Sequence, residues 1–173
     1  LYVLLTLIGW LNIDDLRRFR QLHSKTPGHL EVEIDGVEAT TGPLGQGVGM
    51  GVGMAVGEIL YKNICAEKTG IDTSFLSHNT YILCSDGDLQ EPVALGAASL
   101  AGHWKLRDIT MFYDANDAQI SGSTDRADST DYEMIFNEFG WHVQQIDGHN
   151  HDEIRDAIQK SDIILLGVSR TSK

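Results

Sequence analysis

The chain has 173 residues, 42% of them apolar, and a formal net charge of −12. That is enough for one domain with its own core and too apolar for a disordered chain, while the acidic balance argues against nucleic acid or an anionic membrane as partner. The two cysteines, Cys65 and Cys84, supply no disulfide framework and no metal spacing, and they fit a reduced, cytoplasmic compartment. Residues 1–11 are apolar nearly all round and predict a buried helix. Eleven residues are too few to cross a bilayer, which takes about 20, and no basic region precedes them as in a signal peptide. The start lacks Met and falls inside this apolar run, as expected of a fragment of a longer protein. Asn12 predicts the N-cap of a second helix, with Asp14 and Asp15 in its first turn and Leu16, Phe19 and Leu22 at helical spacing.

Residues 22–29 carry turn chemistry and lead into a long irregular segment, of a kind that is often functional in a compact domain. The string Thr40-Thr41-Gly42-Pro43-Leu44-Gly45-Gln46-Gly47 then opens a helix, with Pro43 suited to the first turn. A glycine-rich helix entry offers free N–H groups and a positive dipole to an anion. Gly45, Gly49, Gly53 and Gly57 follow at four-residue intervals. Interior glycine costs about 1 kcal/mol against alanine, so this helix needs close tertiary packing. A dinucleotide fingerprint Gly-x-Gly-x-x-Gly and a Gly-Lys-Ser/Thr phosphate loop are both missing.

The centre of the chain is a strand, Tyr81-Ile82-Leu83-Cys84, an acidic turn at 85–88, a helix over 91–106, and a second strand, Ile109-Thr110-Met111-Phe112-Tyr113, ending in Asp114-Ala115-Asn116-Asp117. A right-handed crossover makes the strands parallel and brings Asp86 and Asn116, 30 residues apart, to one rim. Open parallel sheets bind ligands at that rim. One carboxylate and one neutral amide suit a hard cation that also carries phosphate oxygens, and Gly87 lets backbone approach closely. Read alone, Asp-Gly and Asn-Asp are also ordinary turn formers. After a polar loop at 121–130 come a helix at 131–139, a strand at 141–146, a helix at 152–160 and a buried strand at 163–168. Alternating strands and helices predict an α/β fold with a mainly parallel sheet and helices on both faces.

Three segments carry a resemblance. They are Phe19 to His29, the string 40–47, and Ser-Asp-Gly-Asp-Leu-Gln-Glu (85–91) continued through Phe-Tyr-Asp-Ala-Asn (112–116). Together they resemble the transketolases, enzymes that move a two-carbon ketol unit between sugar phosphates with thiamine diphosphate. The resemblance implies the thiamine-diphosphate-binding fold, with residues 1–173 as the diphosphate-binding domain, incomplete at both ends. It implies that Asp86, Asn116 and the Ala118 carbonyl ligate Mg2+ or Ca2+. It further implies that Gly42, Pro43, Leu44, Gly87, Glu91 and Asn116 contact the cofactor, with Leu44 on its aminopyrimidine ring, and that His29 meets the substrate oxygen. A homodimer with Glu91 at its interface is implied as well. So is a pyrimidine-binding domain, in cis or on a separate chain, without which this stretch is expected to be inactive. Ser85 stands where the family has Gly, and Gly96 where it usually has a second Glu. A split enzyme, a dihydroxyacetone synthase and a non-catalytic dimerising remnant are the alternative readings.

Overall fold

A computed structural model describes residues 1–120 and 122–159 and the backbone of the strand at 163–169. The expected burial of residues 163–168, and the expected loop and helix positions Ser121 and Lys160, lie outside the described residues.

Two short helices, α1 (Tyr2–Leu7) and α2 (Ile13–Arg17), precede a 24-residue helix, α3 (Gln46–Thr69). Strand β1 (Thr80–Ser85) runs into α4 (Asp86–Leu89) and α5 (Pro92–His103), and β2 (Ile109–Ala115) follows. A small hairpin, β3 (Ala118–Gln119) and β4 (Gly122–Ser123), leads to α6 (Tyr132–Glu138), β5 (His142–Asp147), α7 (His151–Gln159) and β6 (Ile163–Ser169). The four long strands form one parallel sheet in the order β1-β2-β6-β5.

Strand alternation decides which face each helix covers. Thr80, Ile82 and Cys84 of β1 are buried, whereas Tyr81 and Leu83 are exposed. The buried side packs with Val48, Val52 and Ala55 of α3, Ala94, Ala98 and Ala101 of α5, and Phe136 of α6. On the other face, Ala157 and Ile158 of α7 meet Phe112 and Ile146. Helices therefore cover both faces of a parallel sheet, as the alternation predicts. The glycines of α3 do two different things. A Cβ on Gly51 would stand 2.5 Å from the Ile82 side chain, so that glycine lets the helix settle on β1. Gly53 and Gly57 face open space.

The N-terminal expectations need correction. Helix α1 is short and mostly exposed. Leu5 and Leu11 join Val37 in a small satellite core, while Val3, Leu4, Leu7, Ile8 and Trp10 are exposed. A buried helix needs neighbours on all sides, and this one has them on one side among the described residues. Asn12 does cap α2, through a reciprocal pair with Asp15. The helix nevertheless stops at Arg17 and does not reach Leu22. The Thr26 hydroxyl occupies the Asp15 carbonyl at 2.7 Å, and the Arg20 N–H turns to the Thr26 carbonyl. Those contacts take the groups that the next helical turn would use. Pro43 likewise lies outside the first turn of α3, which begins at Gln46 behind Gly45, a left-handed N-cap at φ 75°.

Candidate functional site

The site lies where β1 and β2 end. Their register sets Ser85 opposite Asp114, so the residues just past each strand share one rim. Past β1 the chain turns at once into α4. Ser85 donates to the Asp88 carboxylate through both its N–H (2.9 Å) and its hydroxyl (3.1 Å). The other Asp88 oxygen accepts the Gly45 N–H at 2.9 Å, which ties this turn to the start of α3.

Asp86 opens α4 and is only 5% exposed. Its Oδ1 accepts the Tyr113 hydroxyl at 2.6 Å, and its Oδ2 is buried without a partner. Burial pushes its pKa up, the hydrogen bond from the Tyr113 hydroxyl and the nearby Asn116 backbone N–H act against that, and Asp117 and Asp114 add repulsion in the upward direction. A buried anion in this state gains from a cation. Burial also pushes the neighbouring Cys84 thiol far up, with Asp88 and Asp86 adding to it, so Cys84 is an inert core group.

The loop after β2 is held by short local bonds. The Asn116 side-chain amide donates to Asp114 at 2.9 Å, and its Oδ1 accepts the Ala118 N–H at 2.9 Å. Asp117 between them takes a left-handed φ of 55°. Strand β3, which begins at Ala118, lies against α4. No cluster of three or more His, Cys, Asp or Glu able to hold a metal occurs among the described residues. A cation at this rim would therefore meet one carboxylate, one amide oxygen and backbone, and would need anionic oxygens from a ligand to complete its shell.

The remaining sequence-derived positions gather around α4. A Cβ on Gly87 would touch the Leu44 side chain at 3.3 Å, and Leu44 is otherwise 52% exposed. Pro43 is exposed beside it. A Cβ on Gly42, whose φ is 148°, would stand 2.5 Å from His29 Nδ1, so the imidazole lies against the entry to α3. The Tyr2 hydroxyl steadies that approach by donating to the Pro27 carbonyl at 3.0 Å. Glu91 occupies the N-cap position of α5 without capping it through its side chain, and its Cβ abuts Gly45. His29, Gly42, Leu44, Gly87 and Asp86 thus form one continuous run of neighbours, with Asn116 on the facing strand end.

Three contributors escape sequence reasoning: Tyr113, Asp88 and Tyr132. A signal for Tyr113 exists. It shares the core face of β2 with Ile109 and Met111, and a tyrosine on a core face needs a partner for its hydroxyl. Which partner it finds depends on the strand register.

A family model described as "Transketolase, thiamine diphosphate binding domain" matches residues 1–164. Among curated proteins, the chain is 47% identical over 164 residues to a transketolase of Halalkalibacterium halodurans, covering 93% of this chain and 24% of the relative. It is 43% identical to the Bacillus subtilis transketolase over 165 residues, with the same coverage. Among solved structures, transketolase from Campylobacter jejuni superposes with a TM-score of 0.82 at 40% identity, covering 92% of this chain and 25% of that one. Pichia stipitis transketolase in complex with sedoheptulose-7-phosphate superposes with a TM-score of 0.86 at 36% identity, covering 97% and 26%. The chain therefore spans about a quarter of the length of the relatives it matches.

Proposed function

The chain belongs to the family of transketolase thiamine diphosphate binding domains, and from that membership we propose that residues 1–173 anchor thiamine diphosphate through a divalent cation. The observation that carries this reading is the Asp86 Oδ2 atom, buried at the strand rim with nothing to bond. Asp86, the Asn116 amide oxygen and the Ala118 carbonyl would hold the cation, which is Mg2+ or Ca2+. Gly87 would admit the diphosphate close to backbone, and the entry to α3 at Gly42 and Pro43 would take its other side. The exposed Leu44 side chain would cover the aminopyrimidine ring. Bound there, thiamine diphosphate supplies a thiazolium ylid that serves as nucleophile and electron sink.

His29 would donate to a hydroxyl or carbonyl oxygen of the sugar, since an imidazole can donate in its neutral or charged form. The activity proposed for the whole protein is transfer of a two-carbon ketol unit between sugar phosphates. A pyrimidine-binding domain, in cis or on a separate chain, would complete the site in a cytoplasmic homodimer with Glu91 at its interface.

The test is a calorimetric titration of thiamine diphosphate with Mg2+ into the full-length protein, beside Asp86→Ala and Asn116→Ala. Metal-dependent binding that both variants weaken supports the anchor. Binding of equal strength without metal, or unchanged in Asp86→Ala, would rule it out.

A further inference from the structure

Asp86 has two oxygens, and the fold treats them differently. Oδ1 takes a short hydrogen bond of 2.6 Å from the Tyr113 hydroxyl, while Oδ2 is buried and bare. The hydroxyl that makes this distinction is itself aimed by a separate segment. The Tyr113 ring meets the Tyr132 ring edge to face, with centroids 5.7 Å apart and planes at 76°. Tyr132 is 8% exposed, and its own hydroxyl donates to Asp128 Oδ2 at 2.5 Å. Asp128 is held in turn by the N–H and hydroxyl of Thr130. Tyr113 therefore cannot swing away from Asp86 without breaking a ring contact to α6.

The two candidate ions differ in what they ask of a carboxylate. Calcium accepts six to eight oxygens in loose geometry and often takes both oxygens of one carboxylate. Magnesium demands a small octahedron and takes carboxylates through one oxygen. A hydrogen bond held on Oδ1 takes one of its lone pairs and competes with the two-oxygen mode. We propose that Tyr113 is a positioning residue that biases the site toward magnesium, by holding Asp86 so that it meets the cation through Oδ2 alone. This inference rests on the cation-anchoring role given to Asp86 above.

The experiment uses the metal-free full-length protein saturated with thiamine diphosphate, titrated separately with Mg2+ and Ca2+, as wild type, Tyr113→Phe and Tyr132→Phe. Tyr113→Phe keeps the ring and its contact with Tyr132 and frees Oδ1. Magnesium affinity is expected to fall about tenfold, as for other partners that orient a metal ligand. Calcium affinity should hold or rise, so that the ratio of calcium to magnesium affinity increases by about tenfold. A general loss of structure would weaken both ions together and leave the ratio alone.

A ratio within about twofold of wild type in Tyr113→Phe would overturn the inference. So would a shift of equal size in Tyr132→Phe, which retains the Tyr113 hydroxyl. Should Tyr113→Phe fail to fold, 4-fluorophenylalanine at position 113 fills the same space without a donor and reads the same ratio. A wild-type protein that binds neither ion would defeat the anchoring role itself, an outcome separate from an unchanged ratio.

Discussion

The two strand ends that form the site are built on opposite principles. Past β1 the chain dives into α4, where Asp86 is buried and Asp88 is bonded to Ser85 and to the start of α3. Past β2 it enters a more open loop, where Asn116 is held by its neighbours Asp114 and Ala118. The first end is placed by tertiary packing and carries a charge that the core has stripped of water. The second is placed by hydrogen bonds spanning two residues and carries a neutral amide. The difference teaches where affinity and where adaptability reside: a desolvated anion supplies strength, and a loop of local bonds can adjust around whatever arrives.

The largest effect should separate these ends in binding. Asp86→Ala is expected to weaken metal-dependent binding of thiamine diphosphate by more than about 100-fold, and Asn116→Ala by about tenfold, because a charged ligand outweighs a neutral one. Calorimetry on the full-length protein reads both, and equal losses would break the comparison. Next in size is stability. Asp88→Ala strands the Gly45 N–H in a buried position and removes two bonds to Ser85, at a cost of about 2 kcal/mol in urea unfolding. At the other end, Asp114→Ala removes one bond from a half-buried amide and should cost less than about 1 kcal/mol. A larger cost for Asp114→Ala than for Asp88→Ala would show that the β2 end is also held by the core.

The smallest effect concerns pH. Hydrogen bonds from Thr130 and then Tyr132 hold the Asp128 carboxyl below its usual 3.8. The folded state therefore favours the ionised form, so its contribution is present above that value and is lost as pH falls through the lower, folded value. Asp128→Asn should narrow the difference in thermal midpoint between neutral and acidic solution, read by a melting series. A variant as acid-sensitive as the parent would remove Asp128 from the support of Tyr132 and Tyr113.

Much of this molecule was legible in its residues. The apolar runs of β1 and β2, the helix between them and the Asn12 cap are short-range patterns, and each follows from neighbours within a turn or a pleat. Parallel pairing of β1 with β2 followed from the length of the crossover, and it was enough to bring Asp86 and Asn116 to one rim. Other features had no local signature. The apolar run at the start looked buried because its composition is apolar all round, yet exposure depends on what lies next to it, and the described fold offers one small cluster. Helix α2 looked longer than it is because its spacing continues past Arg17, while a hydroxyl eleven residues away takes the carbonyl it would need.

By itself, then, the amino-acid order determined the central strands and the helix between them, their parallel arrangement and the acidic rim, because propensity, capping and hydrophobic period act over a few residues. Only the tertiary structure decided that Tyr113 claims one oxygen of Asp86 and leaves the other bare, that Asp88 joins two helix starts, and that His29 lies over Gly42. Those contacts join groups 13 to 43 residues apart, and side chains that far apart meet only when strand register and helix packing have set the distances between their backbones.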